Sequence, residues 1–373
     1  MKKYLLIILF GFLINFSSQA DHNKINYDAN NWSKYEIKGS NDFYEFETDL
    51  SQDKIVLKDI ENTNKTGLIS YLFFENNKIK LDYSVLPNYI SKSDNLLMSN
   101  SLGKSLVSYI TGHAICEGYI DGIDVVLDDW SILENTLYHG QKLIDLLNMT
   151  AGDQNYIGQF KFNSDNLLKN GTVTGRNNVN TIPVEFMMKQ LFQNSKKSSP
   201  RYNYNALATN IIMQYIIFKS GDNFQNLLNK VFNENAKIKD SVFFAKSEFR
   251  SYFEVNGWYQ FYAKRYDYLR VAKAIMDDWN NDTCVGKYLK IINENRVNKK
   301  FKEYKPKMVE SYSKSYGGQF HLNLVGMEKR NIFGLGGYGG QQILIDMDKK
   351  KIVLVHSTQS HYNWKKIVYN KIK

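Results

Sequence analysis

Apolar and polar positions change their period twice along this 373-residue chain. From about 35 to 86 they alternate, in KYEIKG, FYEFETD, KIVLKDI and LISYLFFENNKIKLDYSVL. A period of two predicts half-buried strands, and the last segment reads as strand, Asn-Asn turn, strand: a hairpin. From 105 to about 295 the apolar positions recur at helical spacing, as in Leu106 to Ala114, HGQKLIDLLNMTAG, ALATNIIMQYIIFKSG, FQNLLNKVF and YDYLRVAKAIMDDW, several of them closed by glycine. From about 316 alternation returns in GGQFHLNLVG, YGGQQILIDM and KIVLVHS, the last two joined by a polar DKKK turn. Strands at both ends of a helical middle predict an α/β (α+β) fold. An antiparallel sheet flanked by helices is shared by about 35–100 and 310–373, and an all-helical lobe over about 105–305 is inserted into it. Sites usually lie in clefts between such lobes.

The first twenty residues, MKKYLLIILFGFLINFSSQA, are set apart from this pattern. A basic start, an apolar run of about a dozen residues and a small-x-small ending predict a cleaved secretory signal, hence a periplasmic or secreted protein. No later stretch is apolar enough to cross a bilayer, so stable membrane insertion of the remaining chain is not expected. That remainder, about 353 residues, suffices for one large core or two smaller ones. Without Lys2 and Lys3 it carries 46 basic and 38 acidic residues, a net charge of +8. The excess is scattered, as at Lys196-Lys197, Lys299-Lys300 and Lys349 to Lys351, which suits a solvated surface or attraction to anionic envelope polymers and not a nucleic-acid stripe. The cysteines, Cys116 and Cys284, can pair in an oxidising compartment, but their spacing does not say whether they meet. His113-x-x-Cys116 and His356-x-x-x-x-His361 lack a matching second half, so no metal is expected.

The chemistry concentrates at residues 98–108, MSNSLGKSLVS. Ser101 and Lys104 lie three apart at the start of an apolar helix and project from one face of it. A lysine held among apolar neighbours is less favoured as a cation, and its neutral amine can accept the proton of a nearby hydroxyl. The helix N-terminus favours negative charge developing on an attacked carbonyl. The same residues also suit a serine N-cap with a solvated lysine. Ser51/Lys54 and Ser311/Lys314 share the spacing, but neither opens a long helix.

SLGKS before an apolar helix resembles the Ser-x-x-Lys motif of the serine β-lactamase and penicillin-binding-protein superfamily. The chain is most similar to its class C-like branch of esterases, D-aminopeptidases and 6-aminohexanoate-dimer hydrolases. YLFFENNKIKLDYS, residues 71–84, resembles the hairpin before the family's nucleophile. YHGQKLIDLLNMTAG, residues 138–152, resembles its LLxMTSG segment, and YDYLRVAKAIMDD, residues 266–278, the helix after its S/T-A-R-D signature. The resemblance spans about 65–356. It implies Tyr204, in RYNYNALATNII, as the family's catalytic tyrosine, with Tyr202 as the fallback; the asparagine of Tyr-x-Asn is missing, and Asn205 sits one place early, where an extended chain would point it elsewhere. It also implies Tyr338-Gly339-Gly340 in the place of Lys-Thr-Gly, with the N–H groups of Ser101 and Gln341 as oxyanion donors. Serine, tyrosine and glycine-rich strand occur in the family's order. The formal dinucleotide fingerprint Gly334-x-Gly336-x-x-Gly339 is rejected, because a strand and not a helix follows it.

These readings converge on a serine hydrolase without cofactor or metal, working through an acyl-enzyme. Ser101 is the nucleophile, Lys104 with Tyr204 moves the proton, and Tyr338, Gly339, Gly340 and Asn205 line the substrate. Loss of the Lys-Thr-Gly lysine and of the motif asparagine favours an ester or linear amide over a β-lactam or D-Ala peptide. A basic substitute such as Arg201 or Lys264 keeps a cell-wall peptide open as substrate. A non-catalytic envelope binding protein on the same fold is the alternative from another class.

Overall fold

Asn76 and Asn77 turn the chain back on itself with both residues in the left-handed region, φ 52° and 61°. A two-residue hairpin needs that conformation, and asparagine tolerates it. The strands it joins, Leu68–Glu75 and Lys78–Ser84, pair antiparallel as the sequence predicts. The computed structural model describes residues 34–91, 94–157, 184–245, 259–299, 312–359, 362 and 365–373; the signal-like segment, Ser311 and His361 lie outside them.

The hairpin enters a sheet of nine strands among the described residues, in the order 47–48, 78–84, 68–75, 351–357, 341–346, 332–337, 320–324, 313–317 and 297–298. Tyr71 is opposite Val355, so the two ends of the chain share this sheet. Gln341–Asp346 is buried on both faces. One face, through Leu72, Phe74, Leu335, Ile343 and Leu354, joins the large core with the helices Leu102–Cys116 and Arg265–Asn280. The other, through Tyr71, Phe73, Leu344, Val353 and Val355, is covered by Lys54–Glu61 and Lys365–Ile372. No described helix is long and apolar enough to cross a membrane.

Two expectations are corrected. KIVLKDI is a helix and not a strand: the Asp53 carboxylate accepts the N–H groups of Ile55 and Val56 at 2.9 and 3.1 Å, and the buried pair is Val56 and Ile60, four apart. A side-chain cap overrides a run in which β-branched residues only mimic alternation. The middle of the chain is also not purely helical. Val242–Ala245 and Gln260–Ala263 pair with each other and with Lys34–Ile37 and Leu97–Met98 in a second, four-stranded sheet. VFFA and QFYA are short apolar runs, which periodicity cannot assign.

The long helix Leu102–Cys116 runs through the interior, buried from Leu102 to Ala114. Ser105 Oγ donates to Gln319 O at 2.7 Å, and the Gln319 amide bonds Leu146 O, Leu147 O and Thr209 Oγ1, tying the sheet to the helices. At the far end Cys116 is bonded to Cys284 at the start of Cys284–Glu294, a cross-link closing a separation of 168 residues. The bond uses up the Cys116 sulfur of the weak His113/Cys116 pair. His113 is buried, which pushes its pKa down to about 4.

Candidate active site

Ser101 stands immediately before the helix, yet its hydroxyl makes no cap bond. Lys104 Nζ donates to Ser101 Oγ at 3.2 Å. The lysine is 2% exposed, so the reading as a solvated lysine behind a capping serine fails at both residues. The turn that presents the pair is tight. Asn100 is left-handed at φ 50°, and Leu102, Gly103 and Lys104 donate to Ser99, Asn100 and Ser101 carbonyls three residues back. Ser99 fastens the turn to the small sheet: its N–H donates to Phe261 O at 2.8 Å and its Oγ accepts the Phe261 N–H at 2.9 Å. The competing Ser51/Lys54 pair is exposed at both residues, and Ser51 Oγ donates to Lys80 O.

Tyr204 lies on the extended segment before the helix Leu207–Ser220, with Lys104 Nζ 5.5 Å from its ring centroid. Asp153, next after the MTAG stretch, holds this segment on both sides of the tyrosine. Its carboxylate accepts Asn203 Nδ2 at 2.7 Å and Asn205 Nδ2 at 3.1 Å, and also Tyr138 OH at 2.9 Å. Burial pushes the Asp153 carboxyl up, and the three donors pull it back. Asn205, expected at the substrate, is instead turned inward: its amide also donates to Asn203 O, and its Oδ1 accepts the Ala208 N–H. One place away from the motif position, it serves the helix start. Tyr202 packs with Met149 and Tyr316. Asp153→Asn turns an NH₂ toward these donors; it is expected to destabilise the protein by about 2 kcal/mol and to lower kcat more than it raises KM. Wild-type kcat at a reduced melting temperature would show that the clamp does not orient Tyr204.

The glycine-rich segment meets the Ser101 turn at Gly337 and Tyr338. A Cβ on Gly337 would lie 2.3 Å from Ser99 O, and Asn100 Nδ2 donates to Tyr338 O at 2.7 Å. Tyr338, Gly339 and Gly340 form the turn between Ile332–Gly337 and Gln341–Asp346, with Gly339 and Gly340 at φ 86° and 93°. Tyr338 is exposed, while Gln341 pairs with Gly337 across the hairpin and its buried amide donates to Ser357 O. The part touching the serine turn thus lies before the glycine pair, and Gln341 sits on the next strand. Tyr338 stands where the motif lysine would, so the turn offers no cation at that place.

Two neighbours of the site carry no motif. Tyr259, buried where the chain enters Gln260–Ala263, places its ring centroid 3.7 Å from Lys104 Nζ. Behind Tyr204 the His321 ring is stacked at 6.4 Å, and Lys299 Nζ lies 2.9 Å from His321 Nδ1 while bonding Ser313 Oγ. Burial and the Lys299 charge hold His321 well below its usual range. Lys299 had read as surface charge; only the sheet register, His321 opposite Tyr316, reveals it as interior. Lys264, offered above as a basic substitute, pairs with Asp240 at 2.9 Å. Among the described residues no cluster of three or more His, Cys, Asp or Glu could hold a metal ion.

The nine-stranded sheet, the buried helix headed by Ser101 and the helices inserted between the strands have the fold of the serine β-lactamase and penicillin-binding-protein superfamily. Within it the chain is similar to a protein from Bacillus anthracis assigned as a 6-aminohexanoate-dimer hydrolase, at 15% identity and TM-score 0.65 over 91% of this chain and 89% of that one. It is also similar to EstCE1, a hydrolase with promiscuous acyltransferase activity (11%, TM-score 0.61, 86% and 97%). A third is a penicillin-binding protein from Bacillus halodurans (14%, TM-score 0.59, 86% and 99%). No protein-family profile and no curated protein matches the sequence.

Proposed function

We propose that this chain is an exported serine hydrolase that cleaves an ester or a linear amide through an acyl-enzyme on Ser101. The observation that carries the reading is the 3.2 Å contact between the Ser101 hydroxyl and a lysine amine that is almost wholly buried. Burial disfavours the charged amine and so favours its use as a base. Ser101 Oγ attacks the carbonyl carbon, its proton passes to Lys104, and the carbonyl electron pair becomes the oxyanion. Tyr204, across Lys104, relays the proton to the leaving group and then helps activate the water that frees the acyl group. The oxyanion is assigned to the N–H of Ser101 and that of Tyr338, whose backbone is tied to Asn100; this replaces the Gln341 N–H expected from the motif.

The substrate class is read from the missing motif lysine, whose place Tyr338 takes. Lys264 is engaged with Asp240 and Lys299 is 6% exposed, while Arg201, exposed three residues before Tyr204, is the basic substitute that would favour a peptide. An uncharged acyl group beside the exposed Tyr338 ring is the reading taken over a carboxylate-bearing β-lactam or D-Ala peptide. Export is supported by the signal-like start and by the Cys116–Cys284 bond, of a kind that persists in oxidising compartments.

The test is labelling of the mature protein with a fluorophosphonate, read by mass spectrometry, beside turnover of p-nitrophenyl esters. One adduct on Ser101, absent from Ser101→Ala, with ester turnover and no lasting label from a fluorescent penicillin, is expected. A stable penicillin adduct on Ser101 would reassign the chain to the peptidases. An unreactive Ser101 would leave a binding protein on this fold.

A further inference from the structure

Lys104 is 2% exposed, and in the acyl-transfer reading it must become an ammonium at the moment Ser101 attacks. Moving a cation out of water without compensation is costly. The geometry supplies compensation in the Tyr259 ring, 3.7 Å from Lys104 Nζ and itself 3% exposed. An aromatic face attracts a cation through its quadrupole, most strongly where both are desolvated. The ring cannot drift away. Phe261, two residues on, exchanges bonds with Ser99, and Tyr259 O is packed against Gly103, one residue before the lysine.

We propose that the face of Tyr259 is the seat of the Lys104 ammonium, and that Tyr259 is a positioning residue for proton transfer from Ser101; the role in transfer rests on the acyl-enzyme reading above. In the step concerned the Ser101 O–H bond breaks, the Lys104 N–H bond forms, Oγ bonds to the carbonyl carbon, and the carbonyl electron pair moves to oxygen. Charge appears on Lys104 only as this proceeds, so a ring already in place favours the transition state over the ground state. Among the groups facing Lys104 are Ser101 from its own helix, Tyr259 at the entry to the small sheet and Tyr204 from the segment 201–206. Behind Tyr204 stand His321, which burial keeps neutral, and Lys299, whose charge opposes one on Lys104. With its centroid 3.7 Å from the amine, the Tyr259 ring favours the ammonium without taking its proton.

Two readouts test this. The first is titration of Lys104 by NMR of isotope-labelled lysine, assigned with Lys104→Met; it does not depend on catalysis. The second is the pH dependence of fluorophosphonate labelling at Ser101, which rises as Lys104 loses its proton. Removing the ring lowers the affinity of Lys104 for a proton, so the expected result for Tyr259→Leu is a midpoint lower by about one pH unit in both, with a plateau labelling rate about tenfold slower. Tyr259→Phe should restore the wild-type midpoint, because the ring face and not the hydroxyl is at work. Pentafluorophenylalanine at 259 keeps the shape and reverses the quadrupole, so it should behave like leucine even if the leucine variant folds poorly. An unmoved midpoint in the leucine and pentafluorophenyl variants, or a phenylalanine variant that behaves like leucine, overturns the inference. A shifted NMR midpoint in a protein whose wild-type Ser101 takes no label would instead overturn the acyl-transfer role.

Discussion

Exchanging Lys104 for methionine is expected to lower kcat/KM for ester hydrolysis by about a thousandfold, while the melting temperature stays level or rises. The two halves have one cause. Methionine has nearly the shape of the lysine stem and fits the same buried channel, so packing is kept. It lacks the amine that takes the Ser101 proton in the proposed mechanism, in which acylation would then proceed without a general base. It also removes a cation from the interior, where replacing charge by apolar volume is often neutral or stabilising. A surface lysine would give the opposite pattern, with little change in either quantity. The measurement is a pair of assays on one preparation: hydrolysis of a p-nitrophenyl ester and a thermal melt. Activity within threefold of wild type would remove Lys104 from the mechanism. A large loss of activity together with a large drop in melting temperature would make it a structural residue.

The second large effect is expected at Gly103, between Ser101 and Lys104. A Cβ there would sit 1.8 Å from Tyr259 O and 2.7 Å from Ser99 Oγ. The oxygen is main chain, and its strand is held in register, with Met98 opposite Tyr262 and Leu97 opposite Ala263. Relief therefore requires the helix start to move away from the small sheet. Gly103→Ala is expected to cost about 3 kcal/mol of stability, despite alanine being the better helix former. The same movement pulls Lys104 from the Tyr259 ring, so Ser101 labelling should fall at temperatures where the variant is still folded. Denaturant melts and labelling rates measure the two parts. A variant as stable as wild type would mean that the small sheet is not pressed against the nucleophile turn.

The residues at the site were legible to different depths. Ser101 and Lys104 could be found because their chemistry is local: one helical turn joins them, and three positions in a sequence imply a distance in space. The Asn76-Asn77 hairpin was readable for the same reason. Tyr204 was named only by its place relative to the following helix, and Asn205, named with it, is turned inward, as its one-residue offset in an extended segment implies. Asp153, which clamps the segment from fifty residues away, left no signal beyond standing after MTAG. In the glycine-rich segment Tyr338 was named with Gly339 and Gly340, while Gly337, which also meets the serine turn, was not.

By itself the sequence determined the order of strand and helix regions, a hairpin early in the chain, a helix headed by a serine and a lysine on one face, and a strand-rich end bearing glycines. These follow from side-chain periodicity and turn chemistry, which act over a few residues. Tertiary structure alone decided that Cys116 meets Cys284, that Lys299 is interior, that a second sheet delivers Tyr259 to Lys104, and which backbone adjoins Ser101. Those are contacts between segments scores of residues apart. They are set by which apolar faces bury one another, and no local pattern encodes the partner of a face.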